Sequence, residues 1–568
     1  MCKQLITFAF LFFLRSNPTV SQDLLGVDWN KTVCTDYYID QVCKTIADDD
    51  GYIYTLGSFP YSAGFLDENL NENEGSFFIL KQNSSGDKIW IMNLGDTTYY
   101  ATSDMELCKN GDLVLGLNFR NNFIFNSDII ATSKDWTSII LRLDSNCNLK
   151  WFKTYPAKWA TMINKLIVDD NDNTYASIHF IDSLNVNGTI YSNARCTCYS
   201  SVVLKLDPYG NLKWNHLYSS DNLVGIGDLS FYNSCNSCPN SLLLIGGLHA
   251  DSLFIDGNLQ LLKNSIYYNQ YFVSIINEFG DLLTVKLLPP NIMSITNVVE
   301  YGEHTYFSGK FIDTIRWNNY LTIAHSSSAI FIGELDQTGK IIGFTEIEGS
   351  TNIGVSDFHV SPTFGFVLSG AFDGRMVIQN DSVVLASQYD VGSFIVNLNE
   401  NLKLMDFKYV KGGSFIIRNL SIHNNEIIGA ALFEENCYFQ NESCFSWNDD
   451  VSVFKTTDLY NLSEFNPDTF PPPNDTFPPI INETNFAVIV CPNPFGRELK
   501  MEFTEPIYST SLTFTNVLGQ LSKNIYVYKI NDTEVTIDAS RLSSGLYIVH
   551  YRTCNNFEGT VKLIKVDE

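Results

Sequence analysis

Short apolar runs alternate with polar turn clusters along most of the chain, and the period within each run is that of a strand rather than a helix. The stretch VVLKLDPYGNLKW, Val202 to Trp214, reads as strand, tight turn, strand. Nearly the same hairpin stands at Ile139 to Trp151 (IILRLDSNCNLKW) and at Phe77 to Trp90 (FFILKQNSSGDKIW). Weaker copies begin at Tyr271, Ala329, Ser393 and Val451, which makes seven copies spaced by roughly 60 residues, a repeat length that suits a four-stranded propeller blade. A second apolar hairpin alternates with the first, again seven times: Asp48–Phe59, Leu107–Phe119, Val168–Phe180, Asn240–Ala250, Val299–Phe311, Val360–Phe372 and Ile422–Phe433. Its turns carry Gly, Asn or Asp, which supply positive φ. Its second strand ends in small residues, and Gly57, Gly246, Gly309, Gly370 and Gly429 are expected to let adjoining sheets approach closely.

Two hairpins per repeat give four strands, and radial packing of such sheets buries both apolar faces. The pattern therefore predicts an all-β chain with a seven-bladed β-propeller over residues 22–462. A β-sandwich would not require seven copies. The last copy, Val451 to Leu462, supplies one strand with no partner after it, while Trp29 stands where the other copies put Trp90, Trp151 and Trp214. The N-terminal strand is expected to complete the last blade and close the ring.

Composition sharpens this picture. Of 568 residues, 45% are apolar and 14% aromatic, enough for a large strand-based core. A net charge of −27 argues against nucleic acid and anionic membrane surfaces as partners. Lys3 followed by the apolar run Leu5 to Leu14 and by Thr19-Val20-Ser21 predicts a signal peptide over residues 1–21, with no transmembrane span in the mature chain. Beyond Cys2, the cysteines fall into suggestive pairs: Cys34/Cys43, Cys437/Cys444, Cys196-x-Cys198 and Cys235-x-x-Cys238. The last two also fit a four-thiolate zinc site, but export favours disulfides or unpaired thiols.

The units "K-x-D-x-x-G-N-x-x-W" and "D-x-x-G-N-x-Y-x-x-G-x-F", best matched at Val202–Trp214, Ala329–Ile342, Asp48–Phe59 and Val299–Phe311, resemble the bacterial SBBP propeller repeats. The resemblance covers nearly all of residues 25–460 and implies the fold, not an activity. The first unit also echoes the repeat of pyrroloquinoline quinone enzymes, although most later copies lack the Trp.

Six of the 17 prolines lie between Pro467 and Pro479, in a segment that repeats DTFPP. Residues 463–484 are therefore expected to be an extended linker. Residues 485–568 return to strands and resemble the type A C-terminal sorting domain of type IX secretion. The motif residues are Pro492-Asn493-Pro494, Gly519, Leu542-x-x-Gly545-x-Tyr547 and the final strand with Lys562 and Lys565. The residues themselves predict a small Ig-like β-sandwich. The resemblance implies passage through the outer-membrane translocon and release or anchoring at the surface. Cys491 and Cys554, the two cysteines of this domain, are candidates for a disulfide.

The eight histidines are scattered, and no metal-ligand spacing, nucleophile elbow or phosphate loop occurs. Asp169 to Asn173 has the look of a calcium loop, but it falls at a hairpin turn and lacks the Gly and distal Glu of an EF-hand. No catalytic, cofactor or metal residues are assigned. The sequence favours a non-enzymatic surface module that binds a protein or glycan ligand. The alternative is a propeller glycoside hydrolase or lyase whose carboxylate pair comes from distant loops.

Overall fold

The computed structural model describes residues 22–457, apart from short interior stretches, and most strand residues between 488 and 565. The expected signal peptide and linker lie outside the described residues, as do Cys235, Cys238, Pro492, Asn493, Pro494, Gly519 and Cys554. The described residues are all-β, with no helix among them.

From residue 29 to 456 the strands group into antiparallel four-stranded units. Unit one is Gln41–Ala47, Ile53–Phe59, Ser76–Gln82 and Lys88–Leu94. Unit two is Asp104–Leu107, Leu113–Phe125, Asp128–Leu143 and Leu149–Tyr155. Unit three is Ala160–Val168, Thr174–Ile181, Tyr199–Leu206 and Leu212–Ser220. Units four, five and six repeat the plan from Val224–Tyr232, Ile292–Tyr301 and Ile353–Ser361, their first strands. The seventh takes three strands from Ile416–His423, Glu426–Tyr438 and Ser443–Thr456 and its fourth from the N-terminus, Trp29–Thr35. That strand pairs antiparallel with the third, Trp29 opposite Lys455 and Val33 opposite Val451, so the N-terminal strand does complete the last unit.

No sheet closes on itself by hydrogen bonds. The units instead join by packing. The first strand of each touches the first strand of the next, and that of unit seven returns to Gln41–Ala47 of unit one.

Three devices link neighbours. On the outside, a Trp of one unit reaches the turn of the next. The indole Nε1 of Trp29 donates to the Ser84 carbonyl at 3.1 Å, Trp151 to Pro208 at 2.9 Å and Trp214 to Glu278 at 3.1 Å. Each ring lies on the turn glycine, Gly86, Gly210 or Gly280, where a Cβ would come within 2.8–2.9 Å of the indole. These glycines also have φ of +79° to +96°, so the position excludes a side chain twice over. In unit two Cys147 takes this place at φ 61° and packs in the cluster that includes Trp90.

The second device corrects an expectation. Gly57, Gly246, Gly309, Gly370 and Gly429 do not mainly serve contact between sheets. Each stands directly opposite a Phe on the third strand of its own unit: Phe78, Phe272, Phe331, Phe394 and Phe454. At Gly246, Gly309, Gly370 and Gly429 that ring occupies the space a Cβ would need. A strand glycine covered by a cross-strand aromatic recovers the packing it lacks.

The third device is a further hairpin between the second and third strands of a unit, which the sequence reading did not separate. Examples are Ser183–Val186 with Thr189–Ser192, Ser252–Ile255 with Asn258–Leu262, and Arg375–Ile378 with Asp381–Val384. Asn187-Gly188 and Asp256-Gly257 have positive φ at both residues, as a two-residue hairpin turn requires. The hairpin of unit four pairs with the outer strand of unit three (Ile255 opposite Tyr218), and that of unit six with unit five (Ile378 opposite Ile347). These hairpins cover strand edges that would otherwise be open to another chain.

The C-terminal region forms two antiparallel sheets. One holds Val488–Cys491, Glu498–Phe503, Glu534–Asp538 and Tyr526–Asn531; the other holds Thr510–Asn516, Gly545–Thr553 and Glu558–Lys565.

Candidate functional site

The inner strands carry a polar ring. In six of the seven units the first strand bulges once, between Val42/Lys44, Ile163/Lys165, Ile226/Asp228, Ile295/Asn297, Val355/Asp357 and Ile417/Asn419. A bulge adds a residue and re-aims the side chain that follows. That side chain is Lys44, Lys165, Asp228, Asn297, Asp357 or Asn419, and in unit two the strand opens with Asp104.

These groups pass from unit to unit. Lys44 Nζ lies 3.7 Å from Asp104 and 3.5 Å from Glu106. Lys165 Nζ lies 3.8 Å from both Asp104 and Asp228. Asp104 accepts the Leu166 amide at 2.9 Å, and Asp228 the Val298 amide at 2.7 Å. Asp357 takes Asn297 Nδ2 at 3.0 Å, the Leu420 amide at 2.8 Å and Asn419 Nδ2 at 2.7 Å. Asn419 Oδ1 then accepts the Thr45 amide of unit one at 2.8 Å, which closes the circuit. An acid on units two, four and six alternates with Lys or Asn on the odd-numbered units. The odd count leaves one junction, seven to one, without an acid, and an amide oxygen fills it.

The electrostatics follow from burial against pairing. Burial lifts the Asp228 carboxyl to about 6, with Lys165 and two amides holding it from going higher. Burial also raises Glu106, against the pull of Lys44. Burial would raise Asp357 too, but His359, Lys44 and the Leu420 amide outweigh it and hold that acid well below the usual range. Burial presses Lys44 and Lys165 down, yet the surrounding carboxylates leave both raised. Three of the four acids are thus occupied by backbone amides as well as cations. Glu106 faces Lys44.

A second feature lies at the end of units two and three that bears the inserted hairpins. Trp136 stands beside Ala160, Ala160 opposite Ile181, and Ile181 opposite Tyr199. Trp136 and Tyr199 border a cavity of about 150 Å³, floored by Ala160, Thr161, Met162 and His179, with Asn118 behind. Burial lowers His179, whose Nε2 meets the Ile226 carbonyl at 3.0 Å. Trp159, next to Ala160, is 61% exposed, and its indole donates to Asp182, which also holds Lys158 at 2.7 Å. The sequence gave no reason to single out these aromatics, because they meet only across strands.

The acidic runs that resemble a calcium loop are turns. Asp169 Oδ1 accepts the amides of Asn171 and Asn173, and Asp172 has φ 60°. Asp48 caps its turn in the same way through Asp50 and Tyr52. The sulfurs of Cys196 and Cys198 lie at disulfide distance, with Cα atoms 5.3 Å apart. Cys437 and Cys444 are directly opposite on adjacent strands, while Cys108 and Cys147 are buried thiols.

In the C-terminal region Tyr547 is buried, opposite Leu563 on one side and Asn516 on the other. Gly545 pairs with Lys565, which is itself buried, and Lys562 pairs with Ile548. Leu542 is buried just before this strand. Residues 489–566 match the family model of the secretion system C-terminal sorting domain. The chain carries a type IX sorting signal. It is therefore secreted or attached to the cell surface, and its C-terminal domain engages the type IX machinery. No helix among the described residues is long and apolar enough to cross a membrane.

None of the curated proteins matches the chain. Similar solved structures include BBS1N in complex with ARL6DN, at TM-score 0.36 and 9% identity over 76% of this chain and 97% of that one. A variant of the Synechocystis apocarotenoid oxygenase gives 0.35 and 9%, over 78% and 95%. A member of the duf4221 family from Bacteroides vulgatus gives 0.27 and 12%, over 78% and 99%. At these scores none of them bears on activity.

Proposed function

We propose that residues 22–462 form a seven-bladed β-propeller of the SBBP type, presented outside the cell by the sorting domain as a non-enzymatic binding module. The C-terminal sheets are read as the two layers of an Ig-like sandwich over 485–568, joined to the propeller by the extended linker 463–484. The propeller reading is supported by the ring of first strands and by the polar circuit that returns from Asn419 to Thr45. The non-enzymatic reading rests on one observation. The inner acids Asp104, Asp228 and Asp357 each accept a backbone amide from the next unit, so they serve the fold and are not free for acid–base work.

The carboxylate that best fits the rival hydrolase or lyase is Glu106, raised and facing Lys44. Incubating the secreted protein with a panel of polysaccharides and chromogenic glycosides should release no product. Turnover that disappears in Glu106→Gln, with the melting temperature kept, would overturn the non-enzymatic reading.

A further inference from the structure

The aromatic cleft between units two and three has no role in holding the units together that would account for its exposure. Interior aromatics of this fold are covered, as Phe78, Phe272 and Phe331 are. Trp159 at 61% and Tyr199 at 39% exposure are not. In a protein that leaves the cell, exposed aromatics grouped at one place mark an interaction site. The row Trp136, Ala160, Ile181, Tyr199 spans three strand spacings, roughly 14 Å, with aromatic rings at its ends and smaller side chains between. That shape is a trough with two upright walls.

We propose that this trough binds a neutral oligosaccharide; the proposal rests on the binding-module reading above and names its ligand class. Sugar rings present flat C–H faces to aromatic rings and hydroxyls at their edges, and the trough offers a partner for each. Trp136 and Tyr199 provide the walls and Trp159 an exposed platform beside them. At the rim, Lys158 and Asp182 are paired at 2.7 Å, with Trp159 Nε1 on the same carboxylate, so a donor and an acceptor are fixed in place. An extended peptide is disfavoured because the floor and walls are closed by side chains, leaving no free strand edge across the row. The ligand is neutral because a chain of net charge −27 repels anionic glycans.

The test is calorimetric titration of the full secreted chain with cellohexaose, maltohexaose and chitohexaose, with tryptophan fluorescence as a second readout. At least one should bind and perturb the indole emission. Trp159→Ala and Tyr199→Ala, both at exposed positions, should keep the wild-type melt and bind roughly tenfold or more weakly, as loss of a central aromatic contact does. Absence of binding by wild type to all three sugars would overturn the proposal, and so would undiminished binding by both variants. Cleavage of a bound sugar would refute the non-enzymatic reading while leaving the trough as the binding site.

Discussion

At the scale of the residue, the polar ring yields a pH prediction with a defined sign. The Asp228 carboxyl is raised to about 6 by burial, whereas an unfolded Asp titrates near ~3.9. The folded state then holds more protons than the unfolded state between these values, so stability falls as pH rises from about 4 to 6. Asp357 is depressed, and its contribution is present above the unfolded value and lost only as the pH drops further. The melting temperature should accordingly rise on acidification from pH 7 to about 4.5 and fall below about 3.5. Asp228→Asn keeps the shape and removes the titration, so its melting curve should be flatter across pH 4–6; a slope equal to wild type would show that another group is responsible. Asp104→Ala is the harsher change, because it strips Lys165 and Lys44 of a shared partner and leaves the Leu166 amide unmet. Leaving buried charge uncompensated costs about 3–5 kcal/mol, measurable in urea. None of this was legible in the sequence. Lys44, Asp104, Lys165 and Asp228 look like polar interruptions of apolar strands, and their purpose appears only when bulges turn them toward neighbours more than 50 positions away.

At the scale of the element, the repeated "G-N-x-x-W" was legible as a hairpin but not as a clasp. Local propensity explains the turn and the strand; it does not say that the Trp of one unit closes on the Gly of the next. Two glycines separate these effects. Gly188 has φ +87° with open space around it, so Gly188→Ala should cost only the strain of a left-handed residue, about 1–2 kcal/mol. Gly86 has φ +80°, and a Cβ there meets the Trp29 ring at 2.8 Å. Gly86→Ala should cost about 1–3 kcal/mol more, the usual penalty of overpacking. Equal urea midpoints for the two variants would remove the clasp from the account. The inserted hairpins were missed for a different reason. Their strands are only four or five residues long, too short for alternation to register, although Asn187-Gly188 and Asp256-Gly257 carried the turn signal.

At the scale of the whole molecule, closure and export were the most legible features, because each leaves a local mark. Trp29 matched the other copies of its hairpin, and the structure places its strand on Ser443–Thr456 of the last unit. Deleting residues 25–33 would free that edge and break the Ser452–Asn30 bond of 2.6 Å across the junction. The truncated protein should melt earlier and aggregate, as an open sheet edge permits; an unchanged melt and a monomeric elution profile would show that the strand is dispensable.

The sorting signal allows the most direct intervention. The strand Glu558–Lys565 is the outer member of its sheet and pairs along its whole length with Gly545–Thr553, from Gly545–Lys565 to Arg552–Glu558. Removing residues 559–568 therefore unpairs the strand that holds Tyr547, and with it the buried positions Tyr547 and Val549 lose their neighbours on that side. The propeller units make their own contacts and should remain folded. The expected defect is in export alone. In a host with type IX secretion, the truncated chain should accumulate in the periplasm with a protease-resistant core, while the full chain reaches the surface or medium. Cleavage after delivery should fall in the linker, where a Pro-rich segment without a core is open to proteases, so the mature C-terminus should lie between Phe465 and Phe486. Mass spectrometry of the exported form fixes that end. Surface delivery of the truncated chain at wild-type levels, or a mature form that still contains Tyr547, would separate this domain from the sorting role that its match to the family model assigns.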